Sequence, residues 1–325
     1  MDKINRKILE TIKPEIFHSS RAFGNYFEGW YYKFVSDTDG STLAVIPGVS
    51  INENDPHSFI QIFSDFDNTV RYLKFPLSKF SFSGREFRTT VNKSSFSLDR
   101  IYLNETGEDG KKIFCDIHVF NHDKISKSLL QPGAMGIFSY IQNMQCNHHI
   151  LSMRSTARGV AKLNGERIDF SSSRAYIEKD FGESFPSKYI WMQSNSFDDD
   201  STSFMCSIAE IPFGRFSFTG FISVFKSNDI EYRFATYNFS SFNILSCYAE
   251  SCEINLENVL AKLSIKASSR HPLSLKSPSN GIMSSHINES LSGELKIDFQ
   301  DKFRKIRKTA VSNKAAVEIE FYKEW

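Results

Sequence analysis

Arg174-Ala-Tyr-Ile-Glu-Lys-Asp-Phe-Gly-Glu-Ser-Phe-Pro-Ser-Lys-Tyr-Ile-Trp-Met-Gln-Ser-Asn195 is the stretch on which the reading of this 325-residue chain turns. Side chains alternate along a strand, so Tyr176, Glu178 and Asp180 share one face while Ala175, Ile177 and Lys179 take the other. Gly182 and Pro186 interrupt the run, after which Tyr189, Trp191, Gln193 and Asn195 again share a face that grades from aromatic to amide. The stretch reads as strand, turn, strand, with two carboxylates standing in line with an aromatic ring.

Two readings of those acids are open. In one, Glu178 and Asp180 are buried or rim groups neutralised by Lys179, Lys188, Arg174 or backbone amides. In the other, they face an aromatic-lined cavity where desolvation raises a carboxyl pKa until it serves as a general acid near neutrality.

Outward from this centre, short alternating segments recur between turn signals: 27–35, 42–51, 58–63, 70–75, 80–82, 87–91, 94–98, 101–103 and 113–120. Asp37-Thr-Asp-Gly-Ser41 and Asn164-Gly165 are hairpin turns, the second inside a hairpin over 158–169. A less regular segment, 130–153, contains the flexible Pro132-Gly-Ala-Met-Gly136, resumes a strand pattern over 146–153 and is placed to cap or line a cavity. Beyond the centre, 204–211, 216–225, 232–239, 247–256, 259–267, 294–299 and 316–322 complete a second set. With 31 Phe and 12 Tyr against 9 Pro, the pattern predicts an all-β protein with helix only in short pieces. The expected division is an N-terminal extension over 1–22, a first β-barrel over 23–185 and a second over 186–325.

The charge balance, 39 basic against 38 acidic residues, provides no global field to recruit nucleic acid or an anionic membrane. The basic run Lys302–Lys308 reads as a solvated face. Five scattered cysteines without a C-x-x-C pair, no apolar N-terminal segment and no apolar run long enough to span a bilayer point to a cytoplasmic protein with reduced thiols. Oligomeric state is left open.

Nucleotide-loop and nucleophile-elbow motifs are missing. His148 and His149, adjacent on a strand, point to opposite faces, and no carboxylate or cysteine spacing completes a metal set with them, His118 or His122; no metal is expected. One inward histidine donating to or relaying from a carboxylate fits better, with a core histidine bonded to backbone as the alternative.

Glu28-Gly-Trp-Tyr-Tyr-Lys33, Met135-Gly-Ile-Phe-Ser-Tyr140, His149-Ile-Leu-Ser152, the central Ala175–Asn195 motif and Met283–Gly293 together resemble the tocopherol cyclase family. The resemblance extends from about Phe23 to the C-terminus, with Phe181 standing where plant members carry Trp. More distantly the pattern is similar to carotenoid hydratase and hydroxyneurosporene synthase-like proteins. It implies two lipocalin-like antiparallel β-barrels packed together, with a hydrophobic ligand pocket in or between them. It also implies protonation of a prenyl alkene and trapping of the tertiary cation by a phenol oxygen, an isomerisation without redox cofactor. The acid candidates are Asp180, Glu178 and Glu28, with Asp180 placed first because the adjacent Gly182 turn would carry it to a cavity rim. Trp30, Tyr31, Tyr176 and Trp191 supply aromatic faces, and His149, Gln193 and Asn195 line the same pocket. A non-catalytic carrier of a small hydrophobic ligand is the alternative, and under either reading transient contact with a membrane surface is open.

Overall fold

The computed structural model describes residues 3–129, 131–141, 144–213 and 215–320. Met1, Asp2, Leu130, Gln142, Asn143 and the end of the expected last strand at Phe321 and Tyr322 lie outside the described residues. The chain is all-β. A helix α1 (Lys3–Ile12) precedes β1 (Tyr26–Ser36), β2 (Thr42–Ile51), β3 (His57–Ser64), β4 (Thr69–Pro76), β5 (Phe80–Phe82), β6 (Arg88–Val91), β7 (Ser94–Ser97), β8 (Arg100–Thr106), β9 (Lys112–Asp123), β10 (Cys146–Leu163) and β11 (Glu166–Gly182). These eleven form one antiparallel, lipocalin-like sheet in the order β4-β3-β2-β1-β11-β10-β9-β8-β7-β6-β5, nearly closed into a barrel.

A second sheet holds β12 (Tyr189–Ser194), β13 (Thr202–Phe213), β14 (Phe216–Ser227), β15 (Ile230–Ala235), β16 (Ser241–Tyr248), β17 (Ser251–Glu257), β18 (Ala261–Ser268), β19 (Leu273–Ser279), β20 (Ile282–Asp301) and β21 (Arg307–Ile319). The chain divides into two compact units, Met1–Phe185 with Lys276–His286, and Pro186–Leu275 with Ile287–Trp325.

Each unit has its own apolar core. Trp30, Tyr32, Phe34, Val45, Ile60, Phe96, Ile117, Ile177 and Phe181 belong to the first, and Ile190, Met192, Phe204, Phe225, Ile254, Leu263 and Ile297 to the second. Alternation therefore points as expected: on β11, Ala175, Ile177 and Phe181 look into the first core. The opposite face of β11 is buried too, with Tyr176 and Glu178 at 0% and 5% exposure.

Several segments differ from the sequence reading. The pieces expected at 146–153, 158–169 and 174–180 are one long hairpin, β10–β11, turning at Asn164 and Gly165 with both φ positive (54° and 86°). The segment expected as strand 232–239 breaks at the 3₁₀ turn Thr236–Asn238, and that expected at 247–256 contains the turn between β16 and β17. β20 is a 20-residue strand of which only 294–299 carried a clear pattern. α1 runs for 10 residues, longer than the turn or two its three isoleucines suggest.

Residues 13–22, expected to precede the fold, are tied into the first unit. Phe17 is buried against Phe80 and Phe82, and Trp30 Nε1 donates to the Glu15 carbonyl at 2.9 Å. At Gly182, φ is +153° and a Cβ would stand 2.2 Å from the Gln145 carbonyl oxygen, so backbone meets backbone where β11 passes the start of β10. Gly182→Ala should lower unfolding stability by at least ~1–3 kcal/mol, measured by denaturant melts; a variant as stable as the parent would remove this constraint.

Candidate functional site

The antiparallel register of β1 against β11 sets Trp30 opposite Lys179, Tyr31 opposite Glu178 and Glu28 opposite Phe181. Alternation then separates the candidate residues into two groups on opposite faces of the sheet.

Glu28, Trp30, Lys179, Phe181 and His149 occupy the inner face. Glu28 and Lys179 are fully buried and paired at 2.6 Å. Glu28 also accepts the His18 backbone N–H and the Tyr26 hydroxyl, while Lys179 donates to the Pro14 and Ile16 carbonyls. Burial pushes the Glu28 carboxyl up and the Lys179 ammonium down, and each partner's charge opposes that drift. Trp30 is stacked on Phe87 and carries the Lys179 ammonium 5.2 Å from its ring centroid. Glu28 and Trp30 thus hold the N-terminal segment in place, and neither faces Glu178. Lys179, one suggested neutraliser of Glu178 and Asp180, serves Glu28 instead; Arg174 pairs with Asp37 and Lys188 with Glu210. His149 stacks on Phe181 at 5.7 Å, and burial holds its pKa well below the usual value, so it is neutral.

The outer face carries the acid cluster. The β10–β11 register sets His148 opposite Asp180 and Ile150 opposite Glu178. His148 Nδ1 lies 2.8 Å from Asp180 Oδ1; its Nε2 makes no hydrogen bond and sits 3.6 Å from Glu178 Oε2. The Tyr176 hydroxyl donates to Glu178 Oε2 at 2.6 Å. Tyr31 stands edge-on to Tyr176 with centroids 6.4 Å apart, and Phe63 lies the same distance from Tyr31.

Burial pushes the Glu178 carboxyl up to about 8; His148 pulls it down, and Asp180 pushes it up again. Burial alone would lower the His148 pKa, but the two carboxylates overcome it and raise it to about 9. Glu178 thus keeps its proton to higher pH than a free carboxyl and His148 keeps its own to higher pH than a free imidazole, each charge acting on the other. Cys146 is kept as a thiol by burial and by the same two acids, so it is no nucleophile. His148, Glu178 and Asp180 could each offer one atom to a cation, all within 4.8 Å of one another. The absence of carboxylate spacing near the histidines, which argued against a metal, thus has no force, because the neighbouring strand supplies the carboxylates. Nδ1 of His148 and Oε2 of Glu178 are nonetheless already engaged by Asp180 and Tyr176.

Trp191, Gln193 and Asn195 belong to the second unit, where all three are buried; Trp191 and Gln193 take the face of β12 opposite Ile190 and Met192. The residue the sequence reading left out of the site is His148, whose neighbour His149 was assigned to the pocket. A hollow of about 580 Å³ lined by Asn104, Lys111, Lys112, Phe114, Lys162, Asn164 and Gly165 lies at the far end of β10 from His148. It holds no carboxylate or histidine and is not this site. No helix among the described residues is long and apolar enough to cross a membrane.

The two buried carboxyls are distinguishable by substitution. Glu28→Gln leaves Lys179 uncompensated and should cost about 3–5 kcal/mol of stability, whereas Glu178→Gln leaves His148 with Asp180 at 2.8 Å as its counter-charge and should melt nearer the parent. Equal losses in thermal melts of the two variants would refute the separation.

A family model described as tocopherol cyclase-like matches residues 124–320. No curated protein matches the chain. Among solved structures, kievitone hydratase from Nectria haematococca is similar at 10% identity and a TM-score of 0.54, over 93% of this chain and 90% of that one. A structure assigned to AttH from Nitrosomonas europaea is similar at 11% identity and a TM-score of 0.50, over 90% and 92%. These two likenesses concern the fold.

Proposed function

The chain belongs to the tocopherol cyclase-like family, and from that premise we propose that it is a cyclase- or hydratase-type enzyme that protonates an alkene of a lipophilic substrate with Glu178 as the acid. The observation that carries this reading is a buried carboxyl raised to about 8 and hydrogen-bonded by Tyr176, with Tyr31 as its cross-strand neighbour. His148, Glu178, Asp180 and Tyr176 lie inside the matched stretch; Glu28 and Trp30 lie before it.

In this mechanism the Glu178 proton adds to one alkene carbon and leaves a tertiary cation at the other. The faces of Tyr31 and Tyr176 stabilise that cation by about 0.5–2 kcal/mol each. A phenol oxygen of a prenylated aromatic substrate closes the ring, and its proton returns to the Glu178 carboxylate. Nothing is oxidised or reduced. His148, held cationic by Asp180, stabilises the Glu178 carboxylate while it exists, so the acid is strong enough to give up its proton yet protonated at rest. Asp180 orients His148 and is not itself the donor. A carrier of the same fold would have no use for a carboxyl held neutral.

The sign of the pH dependence follows. The active form carries the proton on Glu178, so turnover of a prenylated hydroquinone should be flat below neutrality and fall as pH rises through about 8. Glu178→Gln should reduce turnover by roughly 10²-fold or more. Because His148 draws the Glu178 pKa down, His148→Gln should move the alkaline limb to higher pH while slowing the plateau. A folded Glu178→Gln variant with undiminished turnover rules the mechanism out.

Turnover should also survive dialysis against a chelator. Loss of activity restored by one specific divalent ion would instead assign His148, Glu178 and Asp180 to metal binding.

A further inference from the structure

Between β9 and β10 the chain forms a 3₁₀ turn over Gly136–Tyr140, whose buried residues are Gly136 and Ser139. At three residues per turn, Ile137 and Tyr140 fall on one side, and they are 48% and 50% exposed, with Ile141 following at 44%. The Tyr140 hydroxyl donates to the Leu129 carbonyl at 2.7 Å, which brings Leu129, 88% exposed, to the same place. The turn is amphipathic the wrong way round for a protein in water: a glycine and a serine face inward and the large apolar side chains face out. Such a concentration of exposed apolar side chains marks an interaction surface.

The charge around it selects the partner. From residue 124 to residue 145 the only ionisable charges are Lys124 and Lys127, with no acidic residue. Glu15 acts on the charge of Lys127, and an apolar, tyrosine-bearing surface with two lysines in its segment matches the headgroup boundary of an anionic bilayer. The segment is also fixed beside the acid cluster: the His148 backbone N–H points to Met135 Sδ at 3.1 Å, and Gly133 packs on His149 so closely that a Cβ would lie 3.0 Å from Nδ1.

We propose that Leu129, Ile137, Tyr140 and Ile141 form a docking surface for an anionic lipid bilayer, which presents the start of β10 and its acid cluster to a substrate dissolved in the membrane. The docking itself is measured without substrate, so it stands or falls separately from the acid mechanism.

The test is co-sedimentation of the full chain with vesicles of phosphatidylcholine containing about one-third phosphatidylglycerol, against vesicles of phosphatidylcholine alone. The parent should bind the anionic vesicles more tightly, and the preference should shrink in added salt and in the Lys124→Gln/Lys127→Gln variant. Ile137→Ser/Tyr140→Ser/Ile141→Ser should bind at least about tenfold more weakly with an unchanged melting temperature. Leu129→Ser, at the most exposed position, provides a second reading that cannot disturb the core. A parent that remains in the supernatant with both vesicle types, or serine variants that bind as the parent does, overturns the proposal. So does a parent dimer that the triple variant dissociates without any effect on vesicle binding.

Discussion

From Ala175 to Lys179 β11 is buried on both faces, and from that constraint most of the site follows. A strand with one wet face can point its charges into solvent; here Glu178, Lys179 and their neighbours have no such exit, so each charge must find a partner or give it up. Alternation fixes which partners are within reach. Lys179 is directed inward, where Glu28 of β1 meets it at 2.6 Å, and the same ammonium captures two carbonyls of the N-terminal segment. Glu178 and Asp180 are directed outward, away from that cation, and must settle their charge with His148 and Tyr176. The structural ion pair and the acid cluster are thus two consequences of one strand's pleat.

Much of this was legible in the residues. The period-2 pattern of 175–181 assigned each side chain to its face, and Asn164-Gly165 declared the hairpin. What the pattern could not give was the identity of the histidine. The turn sets Leu163 opposite Glu166, and a ladder continued from there without interruption would place His149 against Asp180. Register shifts between Ile150 and Ser152, Ser152 and Ser155, and Ala157 and Gly159 leave a net slip of one residue, so His148 meets Asp180 instead. A one-residue slip exchanges the two faces, and bulges leave no compositional mark. The strands misjudged in the second unit have a related cause: β20 carries Ser, His, Asn and Glu where alternating apolar residues would advertise a strand, and its pairing with β18 and β21 supplies what local propensity does not.

The ranking of the acids was likewise beyond the sequence. Asp180 was favoured because a turn adjoins it, but position along the chain says nothing about who donates to the carboxylate. Asp180 has the imidazole Nδ1 at 2.8 Å, whereas Glu178 has one neutral hydroxyl and a ring nitrogen too distant for a hydrogen bond.

Glu28 and Glu178 make the point most directly, since both are buried carboxyls with a cation nearby. Coulomb attraction alone separates them little: at an effective dielectric of about 20, unit charges 2.6 Å and 3.6 Å apart differ by only ~2 kcal/mol. The larger contrast is in hydrogen bonds to the charged form. Glu28 accepts from an ammonium, a phenol and a backbone amide, each of which stabilises a carboxylate; Glu178 accepts from a single phenol. Donor count, set by which face of β11 the neighbouring chain covers, therefore directs Glu28 to hold structure together and leaves Glu178 with a proton to give.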